Sequence, residues 1–301
     1  MSGTRGRTAL LGCAIVAGAL ATGTAGGQNT PPSAPPRANS TPSASLGASA
    51  AESLAAAAGA STDTLTRSTS TASAHIAAGD RQHAAMQAGP ALAEYEQALA
   101  LDSTNYEALY KAAREAVDLG EFEPVAATRG ADYAKGLGYA RRAVAVDSNG
   151  ADGHFHVARA LGRQALSVGS KARIQYAKAV RAEALEALAI DPRHPGALHV
   201  MGVWNAEIMR LSSLQRFIAR NLLGGGILGS ASWQEAVRYM EQSVAGEPQR
   251  IVHHLDLGKI YADIGETAKA REQFELALSA PLADYNDPQY QKDARDRLAR
   301  L

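Results

Sequence analysis

The sequence contains a single cysteine, Cys13, and no excess of charge, because its 30 basic and 30 acidic residues cancel. One cysteine excludes a disulfide framework and a cysteine-based zinc site. Its place in an N-terminal apolar stretch also disfavours catalysis by a cysteine nucleophile. Since no bulk positive charge points to nucleic acid, we expect no nucleic-acid partner.

The sequence also lacks recognisable catalytic and cofactor motifs. The glycine-rich stretch 221–232 lacks the closing Gly-Lys-Ser/Thr of a phosphate loop, and no strand precedes it. His154 and His156, like His253 and His254, are too close in sequence to share one metal ion, because residues one or two apart point to different faces of a helix. No nucleophile stands at a recognisable spacing from a base. We therefore expect a non-catalytic protein without metal or cofactor.

Residues 1–27 are typical of a secretory signal peptide. Arg5 and Arg7 precede 18 uncharged residues, and small residues follow. We therefore expect an exported protein, periplasmic or secreted. Two alternatives remain open: an uncleaved N-terminal membrane anchor, and a lipoprotein lipidated at Cys13, because the "LLGC" that ends there resembles a bacterial lipobox.

Residues 28–64 are built mainly from Ala, Ser, Thr, Pro and Gly, with only Arg37, Glu52 and Asp63 charged. Such a composition buries too little apolar surface to offset the entropy of ordering, which predicts a disordered linker. The folded domain is then expected to span residues 65–301.

That domain contains an internal repeat, marked by four short turns that each carry an acidic residue. The acids are Asp102, Asp147, Asp191 and Glu247. We interpret the three aspartates as turn and capping residues ahead of the next helix. When segments are started four residues after each acid, they align without gaps, and the eighth place is always small. The small residues are Ala113, Ala158, Gly202 and Gly258.

A small residue at that place allows a second helix to cross at close range, and each segment is followed by a second apolar helical pattern. This arrangement resembles the tetratricopeptide repeat family, whose unit is a pair of antiparallel helices of about 34 residues. The stretch from Ile251 to about Asp284 fits the bare unit, whereas the three preceding units carry roughly 11, 10 and 22 extra residues between their helices.

We therefore predict an all-α fold, a right-handed α-solenoid of about five tetratricopeptide-like helix pairs. The first and weakest pair is expected over about residues 66–105. Long inserts are expected within the units, and the charged stretch 288–301 is expected to form a solvent-facing C-terminal cap helix, as the end of a solenoid requires.

A closer resemblance rests on residues 194–248. There a Leu-His precedes a Met-Gly pair, and Trp204, an apolar insert and a glycine cluster follow, before Ala236 opens the next helix. This pattern resembles the regulator of microtubule dynamics family over roughly residues 75–301. The resemblance implies a tetratricopeptide fold. In animals the family is named for microtubule association, and one branch tethers membranes and handles lipids.

The fifth and ninth places of the first helices are expected to point into the concave groove. The candidate groove residues are Tyr110, Arg114, Phe155, Arg159, His199 and Lys259. An aromatic row beside a basic row predicts capture of a partner protein through an acidic or C-terminal segment, because stacking and charge-assisted hydrogen bonds act together. The alternative is that these residues merely solvate the groove and pair with Glu107, Asp118 or Asp152.

The insert at 211–228 supports a second hypothesis, a lipid-binding or membrane-apposed protein. Its apolar residues fall on one helical face, with Arg216 and Arg220 on the other. The candidate residues are Leu214, Phe217, Ile218 and Leu222. The alternative is that the insert folds over the repeat core.

Overall fold

The computed structural model describes residues 71–221 and 225–301, and all regular structure within them is helical. The predictions for residues 1–64 and for Leu222 lie outside the described residues. The helices are α1 (residues 71–84), α2 (Ala88–Leu101), α3 (Tyr106–Glu121), α4 (Ala126–Val146), α5 (Ala151–Gln164), α6 (Ser170–Ile190), α7 (Pro195–Arg210), α8 (Ser213–Asn221), α9 (Trp233–Gly246), α10 (Ile251–Asp263), α11 (Thr267–Ser279) and α12 (Asp287–Leu298). None of these helices is long and apolar enough to cross a lipid bilayer.

The described helices form five pairs in a row, and the prediction of a helical solenoid is confirmed. α1 packs on α2, α3 on α4, α5 on α6, α7 on α9, and α10 on α11. Each pair contacts the next, and α12 closes the array against α10 and α11. A solenoid of this kind has one contiguous inner surface made by the first helix of each pair.

The extra residues of the longer units do not all form inserts between helices. In the second and third pairs they lengthen the second helix, so that α4 and α6 are each 21 residues long. In the part of the chain that the structure describes, a short 3-10 helix, Ala165–Ser167, separates α5 from α6, and the fourth pair, α7 and α9, has a longer insert made of α8 and the 3-10 helix Gly226–Ser230. Added helical turns keep their backbone groups hydrogen-bonded, whereas a long loop would leave them for water to satisfy.

The small eighth place has the predicted steric role. A Cβ on Gly258 would lie 2.5 Å from the Phe274 ring of α11, and one on Gly202 would lie 2.4 Å from Met240 of α9. Both distances are far below van der Waals contact. The glycines therefore let the first and second helices of these two pairs approach closely enough to bury large side chains.

The acidic turns between units form as predicted, but the acids do not cap the helices that follow, whose N-cap residues are Asn105, Gly150, His194 and Arg250. In the first three, an Oδ1 accepts the backbone N–H of the residue two positions later, at 3.1, 2.9 and 3.0 Å for Asp102, Asp147 and Asp191. This is the Asx turn that favours aspartate before a helix. All four turns also share a backbone bond in which the N–H three residues after the acid donates to the acid's carbonyl, and at Glu247 this bond, from Arg250, is 3.0 Å long.

Trp204 and Asn205 fix the middle of the array. The buried Trp204 indole donates from Nε1 to the Ala177 carbonyl at 2.8 Å, which joins α7 to α6. Asn205 Oδ1 accepts the N–H of Ser232 at 3.2 Å. Because the Ser232 side chain caps the start of α9, Asn205 positions the chain where it returns from the insert.

The close approach at Gly258 predicts a site-specific loss of stability. Gly258→Val forces two added methyl groups toward Phe274, and overpacking of this kind costs about 1–3 kcal/mol or more. Gly138 in α4 is the matched control, because it is also mid-helix but a Cβ there meets nothing within 4 Å. Urea denaturation followed by circular dichroism should show the loss for Gly258→Val and a change within about 0.5 kcal/mol for Gly138→Val. Equal effects of the two substitutions would contradict the steric role.

Candidate binding groove

A cavity of about 450 Å³ opens on the inner face of the solenoid, where α3, α5, α7 and the start of α10 converge. Five of the six predicted groove residues line it, and they come from three consecutive helix pairs. They are Tyr110, Arg114, Phe155, Arg159 and His199. We refer to this cavity as the groove cavity.

Aromatic rings form a continuous row along the groove cavity. Tyr110 lies parallel to His156 with ring centroids 6.1 Å apart, and Phe155 contacts both His156 at 4.6 Å and His194 at 5.0 Å. Gly196 makes room for this row, because a Cβ there would lie 2.5 Å from the Phe155 ring. The row presents ring faces and edges on which an apolar or aromatic group can pack.

The predicted basic row is present, but its arginines are paired within the chain. Arg114 Nε donates to Glu115 Oε1 at 2.7 Å. Arg159 donates to Asp118 and lies 3.6 Å from Glu121, which also pairs with Arg163. Each arginine of α3 and α5 is therefore already neutralised by a buried acid of α3, which is the alternative that the sequence left open.

Electrostatics keep the Asp118 carboxylate ionised in spite of its burial. Burial is the largest single influence and would raise the pKa of the Asp118 carboxyl, but the guanidinium groups of Arg159, Arg250 and Arg114 together hold that pKa below its ordinary value. The pKa of His156 is also lowered, well below the usual range for histidine, by burial and then by Arg159. For an imidazole this favours the neutral form. The groove cavity thus contains compensated ion pairs and a neutral imidazole, and it carries little free positive charge.

Lys259 lies apart from the other predicted groove residues. Its ammonium is held between Asp256, at 2.9 Å, and Asp293 of α12, at 3.0 Å, and it does not line the groove cavity. Asp256 also accepts a hydrogen bond from His199 Nε2 at 2.9 Å. The expectation that Lys259 faces the groove with the arginines was wrong, because two acids draw its side chain toward the C-terminal helix.

One serine–histidine contact resembles the nucleophile and base of a hydrolase, but its hydrogen bonds run in the wrong direction for that role. Ser243 Oγ lies 3.0 Å from His253 Nδ1 and 2.9 Å from the Pro195 carbonyl. Since a carbonyl only accepts, the serine hydroxyl donates to Pro195, and the histidine donates to the serine oxygen. An imidazole in that role cannot take the serine proton, and both side chains are buried. The contact joins α7, α9 and α10.

The chain closes one end of the groove cavity with its own C-terminal segment. Asn286 Nδ2 donates to the Asp118 carbonyl at 3.0 Å. Tyr290 of α12 packs edge-on against Phe122, with ring centroids 5.6 Å apart. The predicted cap helix therefore has a buried face as well as a solvent-facing one, and it reaches back across the array to α3.

The insert between α7 and α9 is divided between core and surface. Leu211, Ala219 and Leu228 are buried in the core, whereas Leu214 and Phe217 of α8 are 67% and 58% exposed. Ile218 is half-buried. The arginine expected on the polar face turns inward instead, because Arg216 donates to the carbonyls of Met209 and Leu211 at 2.8 and 2.7 Å and so caps the end of α7.

Three residues that shape the groove cavity were not among those that the repeat alignment predicted to face the groove. His156, Asp118 and Asn286 all line the groove cavity. His156 and Asp118 occupy the sixth and thirteenth places of their segments, and both lie one helical turn from residues that were predicted to face the groove. Asn286 lies in the connection between α11 and α12, for which the repeat pattern gives no orientation.

The comparisons with known proteins agree with this architecture. The family model described as "Regulator of microtubule dynamics protein 1-3" matches residues 75–301. Regulator of microtubule dynamics protein 1 of Mus musculus is 25% identical over 166 residues, which are 55% of this chain and 54% of that protein. Regulator of microtubule dynamics protein 3 of Bos taurus is 26% identical over 189 residues, which are 62% and 40% of the two chains. The chain thus spans about half the length of these relatives.

Among solved structures, a thermophilic TPR protein of Thermus thermophilus superposes with a TM-score of 0.52 at 20% identity. The match covers 76% of this chain and 97% of the other. At this identity the likeness concerns the fold alone, and it places the helix pairs described above among tetratricopeptide repeats.

Proposed function

The chain belongs to the regulator of microtubule dynamics family, and from that premise we propose that it is a non-catalytic scaffold that binds a segment of a partner protein in the groove cavity. The single observation that carries the proposal is the cavity itself, which lies on the inner face of a tetratricopeptide solenoid and holds a row of aromatic rings. Its volume of about 450 Å³ lies in the range of sites that enclose a few side chains or a small ligand. The partner is expected in the exported compartment that residues 1–27 predict.

The pairing of the arginines sets the chemistry of this recognition. Tyr110 and Phe155 can pack against an apolar or aromatic side chain of the partner, and His199 and Arg114 add hydrogen-bonding groups at the edge of the row. An acidic group of the partner would meet no free arginine there. It would have to replace one of the acids that the chain already supplies.

This constraint decides how the proposal is tested. Charge reversal at Arg159 would place a third carboxylate against Asp118 and Glu121, so loss of binding could reflect misfolding. Gly162 offers a cleaner change, because it lines the groove cavity and a Cβ there would meet only Val180 Cγ2, at 4.0 Å. Gly162→Leu adds bulk to the cavity while favouring the helix by roughly 0.8 kcal/mol over glycine.

We expect Gly162→Leu to keep or raise the melting temperature and to lose at least tenfold of the partner crosslinks that the wild-type chain forms in its own cells. The reason is that the leucine side chain occupies the volume the partner segment needs. Quantitative mass spectrometry after crosslinking measures the loss, and Gly138→Leu, on an exposed face of α4, is the matched control. If the same partners are recovered in the same amounts with both variants, the cavity is not the binding site.

A second candidate function, membrane apposition through α8, is favoured by one specific observation. Leu214 and Phe217 project two large apolar side chains into solvent next to each other on one helical face. Residues of this kind on a short surface helix can enter the boundary between lipid headgroups and acyl chains.

Liposome flotation tests this second function. The wild-type chain should float with vesicles of phosphatidylglycerol and phosphatidylethanolamine, and the double variant Leu214→Asp and Phe217→Asp should lose most of that binding, because two carboxylates cannot enter the apolar layer. Leu101→Asp, at a leucine 42% exposed on α2, controls for a general effect of added charge. Recovery of the wild-type chain in the lipid-free fraction would remove the candidate.

A further inference from the structure

The connection between α11 and α12 inserts polar side chains into the end of the groove cavity. Asp284 and Asn286 both line the cavity and are 4% and 3% exposed, although they belong to an irregular segment. We call residues 283–287, "ADYND", the strap. Its contacts reach α1, α3 and the start of α10, so that the two ends of the solenoid meet across it.

On α3, the strap supplies a donor that the helix needs. The Asp118 carbonyl is one of the last four of α3, which have no partner within a helix. The N–H of Phe122 bonds to Gly120 instead, and Asn286 Nδ2 fills the place at Asp118 with a hydrogen bond of 3.0 Å. A buried carbonyl at this position requires such a donor, because leaving it unpaired costs about 1–3 kcal/mol.

Beside that carbonyl, the strap also provides a carboxylate that pairs with an arginine of the groove cavity. Asp284 pairs with Arg250, the residue that precedes α10, and lies 3.5 Å from His83 Nε2 of α1. Arg250 is the one arginine lining the groove cavity that is paired with an acid of the strap rather than with an acid of α3, among the residues that the structure describes. An aspartate and an asparagine two residues apart therefore supply a charge partner for Arg250 and a hydrogen-bond donor for the Asp118 carbonyl.

The strap is held by these polar contacts and by little apolar burial. Its large apolar neighbour Leu282 and its own Tyr285 are each 43% exposed. Asp287 accepts the N–H groups of Ala283 and Asp284 through Oδ2, both at 2.8 Å. Its buried Oδ1 and both buried carboxylate oxygens of Asp284 have no hydrogen-bond partner among the described residues, so the Asp284 carboxylate is held by its ion pairs alone. Buried polar contacts of this kind select one conformation of the segment but add little to the free energy of unfolding, because the cost of desolvating the polar groups offsets most of their attraction. The helices on either side, α11 and α12, are anchored by apolar faces that pack into the core, through Phe274 and Tyr290 among others.

We propose that the strap is a resident ligand of the groove, and that the surface formed by Arg250, His83 and the Asp118 carbonyl recognises an acidic segment with an Asp-x-Asn pattern, in cis from the chain itself and in trans from a partner. This deepens the proposed function and rests on it, since it identifies the chemistry of the partner segment. A partner that carries this pattern displaces the strap, and the strap sets the threshold for binding, because it competes at the high effective concentration of a tethered segment.

The test uses the full chain and a labelled synthetic peptide of residues 280–290, APLADYNDPQY. In the wild-type chain the strap competes with the peptide, so binding in fluorescence anisotropy should be weak. In the double variant Asp284→Asn and Asn286→Ala the strap is weakened, and the peptide should bind saturably and at least tenfold more tightly, because the competent open state is more populated. A peptide with alanine at both positions should not bind. Tyr285→Ala, at an exposed side chain of the strap, should match the wild type.

Two outcomes would overturn the proposal. One is the absence of saturable peptide binding by a double variant whose circular dichroism is native. The other is equal affinity of the wild type and that variant for the peptide. If the double variant does not fold, hydrogen exchange of the wild type decides, since the amides of 283–287 should exchange at least tenfold faster than those of α3. If the amides of 283–287 and those of α3 exchange at the same rate, the strap opens only when the chain unfolds, and the proposal is overturned. The peptide assay involves no cellular partner, so its failure is distinguishable from unchanged partner crosslinks in Gly162→Leu.

Discussion

The buried pair of Asp118 and Arg159 joins α3 to α5 at the base of the groove, and the rest of the inner face depends on it. Asp118 has 7% of its side chain exposed and Arg159 16%, so neither charge can be left to water. The same aspartate presents its backbone carbonyl to Asn286, and the same arginine faces Glu121 and helps to keep His156 neutral. One ion pair thus links the floor of the cavity, the contact with the C-terminal segment and the charge state of the groove.

This linkage separates what the sequence could predict from what it could not. The helix pairs, the acidic turns and the close approach at Gly258 follow from periodicity and residue size, which are local properties. Membership of Tyr110, Phe155 and His199 in one groove follows from their equivalent places in a repeat. The partners of the arginines are a different matter, because Arg159 pairs with a residue of the preceding unit and Asn286 bonds to one 168 positions away. Repeat position gives the direction of a side chain but not the neighbour that neutralises it.

Lys259 and Arg216 illustrate the same limit. Lys259 was expected to face the groove and Arg216 to lie on the polar face of the insert. Both side chains instead turn toward groups that need a cation or a donor, Asp293 in one case and the carbonyls at the end of α7 in the other. In a repeat protein with lengthened helices and a closing C-terminal segment, unpaired polar groups at helix ends are numerous. Long basic side chains bond to these polar groups instead of extending into solvent. The surface that remains for a partner is therefore more aromatic and less charged than the sequence suggests.

The central claim is that the groove is organised by buried ion pairs between consecutive repeats, and a double-mutant cycle on Asp118 and Arg159 tests it most directly. The free energy of unfolding should fall by about 3–5 kcal/mol for Asp118→Leu and for Arg159→Met alone, because each leaves a buried charge without its partner. The double variant should lose clearly less than the sum, with a coupling energy of at least about 1.5 kcal/mol. Single losses that add to within about 0.5 kcal/mol would mean that the two side chains act independently, and the account of the groove would be contradicted.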